Sequence, residues 1–133
     1  MDVLEKIPFN KNQAVVFDID DTLIHSGTHE IITDVFNIYQ YCLDKGYHIH
    51  IITARPANKM NIRLTLQQLQ YLNIKNYETI SFRPIFDLNV YKFKLNARKK
   101  IKDIFNQNVV MSIGDMWWDI GEYGGYGIIV KKK

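Results

Sequence analysis

The chain has 133 residues, a formal net charge of +3 and a hydrophobic content of 47%. This length predicts one domain over residues 1–133, and the hydrophobic content excludes an intrinsically disordered protein. The single cysteine, Cys42, excludes an internal disulfide framework and a cysteine-based zinc cluster.

The hydrophobic pattern predicts alternating strands and helices along the chain. Short apolar runs indicate buried strands, and apolar positions that recur every three to four residues indicate helices. The predicted strands are residues 14–17, 48–52, 79–82, 109–113 and 127–130, and the predicted helices are residues 30–43, 58–72 and 96–105. This alternation predicts a Rossmann-like, three-layer α/β domain with a five-stranded, mostly parallel sheet and helices on both faces.

Polar segments follow three of the predicted strands. Residues 18–22 follow the first strand, residues 53–56 the second and residues 114–119 the fourth. Ligands of open α/β sheets bind beyond the carboxyl ends of the strands, so these segments are the candidate functional site.

Carboxylates dominate that candidate site. Asp18 and Asp20 point to the same side of an extended segment, and we expect Asp115 and Asp119 to lie one turn apart on a helix face. Two carboxylates ~4 Å apart repel by about 4 kcal/mol at an effective dielectric constant of ~20, so the group needs a cation or a proton. Because no cysteine or histidine lies nearby in these segments, the ligand set favours Mg²⁺.

The motifs resemble those of the haloacid dehalogenase-like (HAD) superfamily. Residues 18–22 (DIDDT) are similar to its first motif, and Thr53 at the end of an apolar strand is similar to its second. Lys94 or Lys92 matches its third motif, an isolated lysine, and residues 114–119 (GDMWWD) match its fourth. All four motifs occur in the family's order, so the resemblance covers essentially the whole chain.

The second and third motifs resemble the capless acid-phosphatase branch, subfamily IIIB. Residues 53–55 read Thr-Ala-Arg, and Lys94 and Arg98 lie four apart, as in that branch. The resemblance implies a phosphoric monoester hydrolase. The short segments between the motifs leave no room for a folded cap domain, so we expect an open site unless residues 25–30 or a second copy of the chain cover it.

The resemblance also implies a role for each site residue. Asp18 would attack phosphorus to give an aspartyl-phosphate, and Asp20 would protonate the leaving oxygen and then activate water. Thr53, Lys94 and Arg55 would bind the phosphoryl oxygens. Mg²⁺ would be held by four aspartates, namely Asp18, Asp20 through its backbone carbonyl, Asp115, and Asp119 as the residue that orients the others.

Two lysines compete for the third motif. Lys92 and Lys94 are predicted to lie in extended backbone before a helix, where both would face the same side. Lys94 is favoured because it is nearer to the predicted helix start, and because Arg98, one turn further on, would point at the same anion. Lys92 remains the alternative.

Several other residues have simpler interpretations. His48 and His50 share a strand face and are interpreted as contacting a helix or solvent rather than a metal. Trp117 is interpreted as a packing residue, and Trp118 as a candidate for stacking on an aromatic leaving group. Cys42 lies on an apolar helix stripe and is expected to be a buried, inert thiol.

The sequence therefore predicts a Mg²⁺-dependent phosphatase that acts on a phosphorylated small molecule or nucleotide. One alternative is a phosphatase or phosphotransferase specialised for nucleotides or polynucleotide ends, which an open site, Trp118 and the basic C-terminal tail would permit. A second alternative is a non-catalytic binding module on the same fold. The complete acidic set argues against this module, because loss of Asp18 or Asp20 would be its simplest signature.

The sequence also predicts a cytoplasmic protein without membrane contact. No apolar run approaches the ~18 residues that cross a bilayer, and residues 1–8 lack the apolar core of a secretory signal. The net positive charge equals that of residues 131–133, which we interpret as a solvated tail, so charge alone does not indicate a nucleic-acid partner. Abundant Asn, Ile, Lys and Tyr with scarce Ala and Arg fit a host with an AT-rich genome.

Overall fold

The computed structural model describes residues 2–131. Five strands form the centre of the fold. The strands are β1 (Gln13–Phe17), β2 (His48–Pro56), β3 (Thr79–Arg83), β4 (Asn108–Gly114) and β5 (Tyr126–Ile129). The helices are α1 (Asp2–Lys6), α2 (Thr33–Lys45), α3 (Lys59–Tyr71) and α4 (Val90–Phe105), with a 3-10 turn at Trp117–Asp119. All neighbouring strands run parallel in the order β3-β2-β1-β4-β5, so the predicted α/β class is confirmed.

Alternate residues of β1 face two separate halves of the core. Val15 and Phe17 pack with residues of α2 and α3, whereas Ala14 and Val16 pack with residues of α4. The helices therefore cover both faces of the sheet, α2 and α3 on one and α4 on the other. Because both faces of β1 are buried, the strand is a continuous apolar run.

The strand order reverses between β1 and β4. The chain steps outwards from β1 to β2 and β3, and then crosses over to β4 on the other side of β1. Phe17 pairs with Ile113, and the backbone N–H of Asp18 donates to the carbonyl of Ile113 at 3.0 Å. The acidic segments that follow β1 and β4 are therefore adjacent at the switch point, where open α/β sheets bind ligands.

Helix α4 begins at Val90, six residues before the predicted start at residue 96. The Asn89 side chain caps it by accepting a hydrogen bond from the backbone N–H of Lys92 at 3.0 Å. Residues 91–95 alternate aromatic or apolar side chains with lysines, a pattern that suits extended backbone, and tertiary packing overrides that local pattern. The sequence pattern also missed α1, placed the start of α2 three residues too early and ended β2 four residues too soon.

His50 lies at the centre of a buried polar network at the start of β2. Its ring centroid also lies 5.5 Å from that of Phe105 at the end of α4, so the predicted helix contact is confirmed. Its Nδ1 accepts from Thr79 Oγ1 at 2.7 Å, and its Nε2 donates to Gln107 Oε1 at 2.7 Å, an arrangement that fits a neutral ring. Gln107 Nε2 donates in turn to Glu78 at 2.8 Å, and Glu78 also pairs with His48. Burial lowers the pKa of His50 below its ordinary value of 6.5, although Gln107 and Glu78 oppose this effect.

We expect His50 to make stability depend on pH. Above pH 6.5 the ring is neutral in both states, so its contribution to stability is complete. As pH falls from 6.5 towards the lowered folded pKa, the unfolded chain binds the proton first and this contribution is lost. Urea unfolding should show that the stability advantage of the wild type over His50→Gln shrinks between about pH 8 and pH 5. Parallel pH curves for the two proteins would contradict the assignment.

Cys42 is fully buried, as predicted, and burial raises the pKa of its thiol to about 12, which keeps it inert. None of the helices within residues 2–131 is long and apolar enough to cross a bilayer. Lys131 of the predicted tail is exposed. Residues 132–133 of that tail lie outside the described residues. So does Met1, the first residue of the segment considered as a secretory signal.

Candidate active site

Asp18 is held at the carboxyl end of β1 with most of its side chain buried. Thr22 Oγ1 donates to Asp18 Oδ2 at 3.3 Å, and Lys94 Nζ donates to Asp18 Oδ1 at 2.9 Å. The backbone N–H of Thr22 donates to the carbonyl of Ile19, so a tight turn returns Thr22 to Asp18. The carboxylate is thus oriented by two donors at the edge of the sheet.

Lys94 is a buried cation on α4, with only 2% of its surface exposed. Besides Asp18, its Nζ contacts the carbonyl oxygen of Ile52 at 2.7 Å and Asp119 Oδ1 at 2.7 Å. Burial acts to lower the pKa of Lys94, but the carboxylates of Asp18 and Asp119 outweigh it and raise the pKa above its ordinary value of 10.5. Lys94 therefore stays charged at neutral pH between two aspartates.

The structure separates the two candidate lysines, although not for the reason expected from the sequence. Lys92 and Lys94 both lie within α4, where residues two positions apart are about 200° apart around the axis, so the prediction that both face the same side is wrong. Lys92 is exposed and Lys94 is buried in the acidic site. The position of Lys94 supports it as the third-motif lysine.

Arg98 does not point at an anion beside Lys94, as the sequence suggested. Its guanidinium donates to the backbone carbonyls of Trp118 at 2.8 Å, Ile120 at 3.2 Å and Glu122 at 2.9 Å. Arg98 thereby anchors the segment after β4 to α4. Residues four apart share a helix face whether they bind an anion or make a structural contact. The spacing of Lys94 and Arg98 therefore could not show whether Arg98 binds an anion or anchors backbone carbonyls.

Three carboxylates converge around the end of β1. Ligand oxygens of Asp18, Asp115 and Asp119 lie within 4.8 Å of one another. Asp115 precedes the 3-10 turn, so the expectation that it shares a helix face with Asp119 is wrong. Asp119 is buried and accepts from the backbone N–H of Met116 at 3.1 Å. A side chain at Gly114 would collide with Asp119, which explains the glycine before this motif.

This cluster fits Mg²⁺ in charge and in donor chemistry. Three carboxylates and Lys94 carry a summed charge of about −2 when all are ionised, which disfavours the group without a further cation. Burial raises the pKa of Asp18 to about 7, against the opposing effect of Lys94, which shows how strongly this site penalises an uncompensated charge. Carboxylate oxygens are the ligands that Mg²⁺ prefers, and half-buried Asp115 leaves room for water ligands.

The side chain of Asp20 lies outside this cluster. Arg55 binds it with two hydrogen bonds, Nε to Oδ2 at 2.9 Å and Nη2 to Oδ1 at 2.8 Å. Arg55 Nη1 also donates to Thr65 at 3.0 Å and Gln68 at 2.9 Å, which fixes the guanidinium against α3. The carboxylate of Asp20 is therefore paired with Arg55. Asp20 is still predicted to bind a metal through its backbone carbonyl.

Two of the three predicted phosphate-binding residues, Thr53 and Arg55, lie at the end of β2, and the third, Lys94, lies on α4. Thr53 is buried in β2, where its Oγ1 accepts from the backbone N–H of Arg55 at 3.1 Å and keeps its hydroxyl proton for a further partner. Phosphate binding by Thr53 and Arg55 stays a prediction. The pairing of Arg55 with Asp20 had no signal in the sequence, because the two residues are 35 positions apart.

The loop of residues 25–30 is tied to the same network. Gln68 Nε2 donates to the carbonyl of Thr28 at 2.9 Å, while Gln68 Oε1 accepts from Arg55. Residues Ile24 and Ile31 form an antiparallel bridge at the base of the loop. Within residues 2–131, this loop and α2 are the elements between the first and second motifs, so no folded cap is inserted there.

Comparison with known proteins identifies the family. The sequence profile of HAD superfamily, subfamily IIIB (Acid phosphatase), matches residues 23–131. The chain belongs to this HAD subfamily. The match covers Thr53, Lys94, Asp115 and Asp119 and begins directly after the Asp18 segment, so the resemblance seen in the motifs is confirmed. The description of this subfamily is that of acid phosphatases.

A solved structure shows a similar fold within a longer chain. A chain in the structure of a Pnkp1/Rnl/Hen1 complex superimposes with a TM-score of 0.68 at 17% sequence identity. The alignment covers 90% of this chain and 46% of that chain, so this chain spans about half the length of its structural relative. At this identity the likeness shows the fold. A search among curated proteins finds no significant match.

We expect Mg²⁺ to stabilise the folded chain through the acidic cluster. A cation that binds only the folded state adds about 2.7 kcal/mol at 100 times its Kd, which corresponds to a rise of roughly 5–10 °C in Tm. Calorimetry should show this rise for the wild type and its loss in Asp115→Ala. Asp103→Ala, which removes an exposed carboxylate on α4, is the control and should keep the rise. An unchanged wild-type Tm at millimolar Mg²⁺ would contradict this site.

Proposed function

We propose that this chain is a Mg²⁺-dependent phosphatase that hydrolyses phosphate monoesters through an aspartyl-phosphate on Asp18. The observation that carries the proposal is the placement of Asp18, a buried carboxylate held by Lys94 at the switch point of the sheet. A carboxylate in this position can act as a nucleophile, and the adjacent positive charge lets it approach a phosphate anion.

A covalent mechanism suits this reaction. Uncatalysed hydrolysis of phosphate monoesters is among the slowest reactions known, and a covalent intermediate divides it into two easier steps. In the first step Asp18 Oδ attacks phosphorus while the bond to the leaving oxygen breaks. Lys94 and the Thr53 hydroxyl would bind the phosphoryl oxygens. Mg²⁺ held by Asp18, Asp115, Asp119 and the carbonyl of Asp20 would neutralise charge on the phosphoryl group.

Asp20 would transfer the protons. It lies two residues after Asp18, and its side chain is 38% exposed, so water can reach it. Asp20 would protonate the leaving oxygen in the first step, and would accept a proton from the water that hydrolyses the aspartyl-phosphate in the second. Arg55 orients the Asp20 carboxylate through two hydrogen bonds, which fixes its direction before substrate binds.

A panel of monoesters tests the proposal. The purified chain should release inorganic phosphate from at least one nucleotide, sugar phosphate or aryl phosphate, and the release should need Mg²⁺ and stop with a chelator. The Asp18→Asn variant, purified in the same way, controls for contaminating phosphatases. Absence of turnover across the panel with Mg²⁺ present would overturn the proposal in favour of a non-catalytic binding module.

Asp20→Asn is expected to slow breakdown of the aspartyl-phosphate at least as much as its formation. The amide cannot accept a proton from water, whereas an activated leaving group such as p-nitrophenolate departs without protonation. Pre-steady-state kinetics with p-nitrophenyl phosphate should therefore show a burst followed by slow turnover. Unchanged rates for both steps would remove this role from Asp20.

A further inference from the structure

Most of the Arg55 guanidinium is engaged by the protein itself. A guanidinium with its Nε has five N–H donors, and within residues 2–131 four of those of Arg55 have acceptors. Two donate to the Asp20 carboxylate, and the two on Nη1 donate to Thr65 Oγ1 at 3.0 Å and Gln68 Oε1 at 2.9 Å. One N–H, on Nη2, is left for a phosphoryl oxygen. The arrangement suits the orientation of Asp20 better than the capture of an anion.

Thr65 and Gln68 hold one nitrogen of that guanidinium, and we call this pair the Arg55 clamp. The two residues lie three apart on α3, so they share a helix face. Only two residues separate the end of β2 from the start of α3. Asn58 caps the helix there by accepting from the backbone N–H of Asn61 at 2.8 Å. The short, capped connection therefore fixes the clamp relative to the strand end that carries Arg55.

The clamp is itself held in place by its surroundings. Thr65 is 2% exposed, so its hydroxyl is confined beside the guanidinium. Gln68 Nε2 donates to the carbonyl of Thr28 at 2.9 Å, which turns the amide oxygen of Gln68 towards Arg55. A glutamine suits this position because its amide accepts from a cation on one side and donates to a carbonyl on the other. The loop of residues 25–30 and α3 thus fix the clamp together.

The direction of the Asp20 carboxylate depends on Arg55. Within residues 2–131, Arg55 is the one hydrogen-bond and ion-pair partner of this side chain. Paired, parallel hydrogen bonds couple the plane of the carboxylate to that of the guanidinium, so rotation of Arg55 would turn Asp20 with it. A proton-transfer group must lie within hydrogen-bond distance of the leaving oxygen, and a misplacement of ~1 Å can slow a reaction about 100-fold.

We infer that Thr65 and Gln68 are positioning residues for proton transfer, because they hold Nη1 of Arg55 and thereby set the direction in which Asp20 faces the leaving oxygen. This inference rests on the proposed function and adds to it two residues outside the four sequence motifs. Both residues act through Arg55. Loss of the clamp should therefore slow the step in which Asp20 protonates the leaving oxygen, and should spare a substrate whose leaving oxygen needs no proton.

Two aryl phosphates of similar shape separate proton transfer from other losses. Phenyl phosphate releases the more basic phenolate, which needs a proton from Asp20, whereas p-nitrophenolate departs without one. In Gln68→Met and in Thr65→Val, single-turnover release of phenol should slow about tenfold or more, and release of p-nitrophenol by less than about twofold. Thr65→Ser keeps the hydroxyl and should recover most of the rate of phenol release.

Gln67→Met is the matched control for Gln68→Met. Gln67 is the neighbouring residue of α3 but is exposed, so its substitution should leave the release of both phenols unchanged. Inhibition by inorganic phosphate should stay within about twofold of the wild type in the clamp variants. Equal slowing with both aryl phosphates, or weaker phosphate inhibition, would assign the clamp to general stability or to phosphate binding and would overturn the inference.

Nitrogen-15 NMR of the Arg55 Nε–H group tests the clamp without turnover. Arg55→Lys identifies its signal, which should exchange slowly with water in the wild type, because Asp20 Oδ2 accepts from Nε at 2.9 Å. Exchange should be faster in Gln68→Met and Thr65→Val and unchanged in Gln67→Met. Unchanged exchange in both clamp variants would overturn the inference and leave the phosphatase intact. Faster exchange in a chain whose wild type turns over no monoester would overturn the phosphatase, and the proton-transfer role with it, while the clamp itself would stand.

Discussion

Asp18→Asn is expected to reduce phosphatase turnover by more than about 1,000-fold while the fold is retained. The amide has the shape of the carboxylate, and its single oxygen can still accept the hydrogen bond from Lys94. Its NH₂ group cannot accept from Thr22, but the Thr22 hydroxyl can rotate and accept from it instead. The amide cannot attack phosphorus as an anion, and the reaction loses its covalent step. Steady-state kinetics on purified protein, beside far-UV circular dichroism, measures both parts of the prediction.

The stability of Asp18→Asn provides a second readout. Burial penalises the charge of Asp18, and the substitution removes one charge from a repelling cluster. In metal-free buffer the variant should therefore be as stable as the wild type, or more stable. Asp103→Asn makes the same chemical change at an exposed aspartate paired with Lys99, and should leave turnover unchanged. Activity of Asp18→Asn within tenfold of the wild type would remove Asp18 as the nucleophile.

Lys94→Ala should have the largest combined effect on stability and activity. The substitution leaves Asp18 and Asp119 without their shared cation, and breaking a buried ion pair in this way costs about 3–5 kcal/mol. Mg²⁺ should restore part of this loss, because it would neutralise the same carboxylates. Urea unfolding with and without Mg²⁺ measures the loss and the recovery.

Lys92→Ala is the matched control for Lys94→Ala. Lys92 lies on the same helix but is exposed, so its removal should change stability by less than about 0.5 kcal/mol. Inhibition by inorganic phosphate should weaken strongly in Lys94→Ala and stay unchanged in Lys92→Ala. A large loss of phosphate inhibition in Lys92→Ala with none in Lys94→Ala would assign the third motif to Lys92.

Much of the candidate site was predictable because parallel strands end at a common edge. Asp18 and Asp115 each follow an apolar strand directly, and neighbouring strands of a doubly wound sheet bring such residues together whatever the details of packing. The same reasoning could not foresee Arg98 on three backbone carbonyls or Arg55 on Asp20. Those contacts join residues 20–35 positions apart in the chain. The sequence alone is compatible with several different partners for each arginine.

The sequence by itself determined the α/β class, the five strands and the acidic edge, because hydrophobic period and strand-end chemistry are local properties of the chain. Only the tertiary structure decided which lysine enters the site. That choice depended on where α4 begins, and Asn89 caps the helix six residues earlier than its apolar pattern indicates. Only the tertiary structure showed that Trp117 is exposed and lies against Tyr91. The direction of that side chain is set by packing between α4 and the turn after β4.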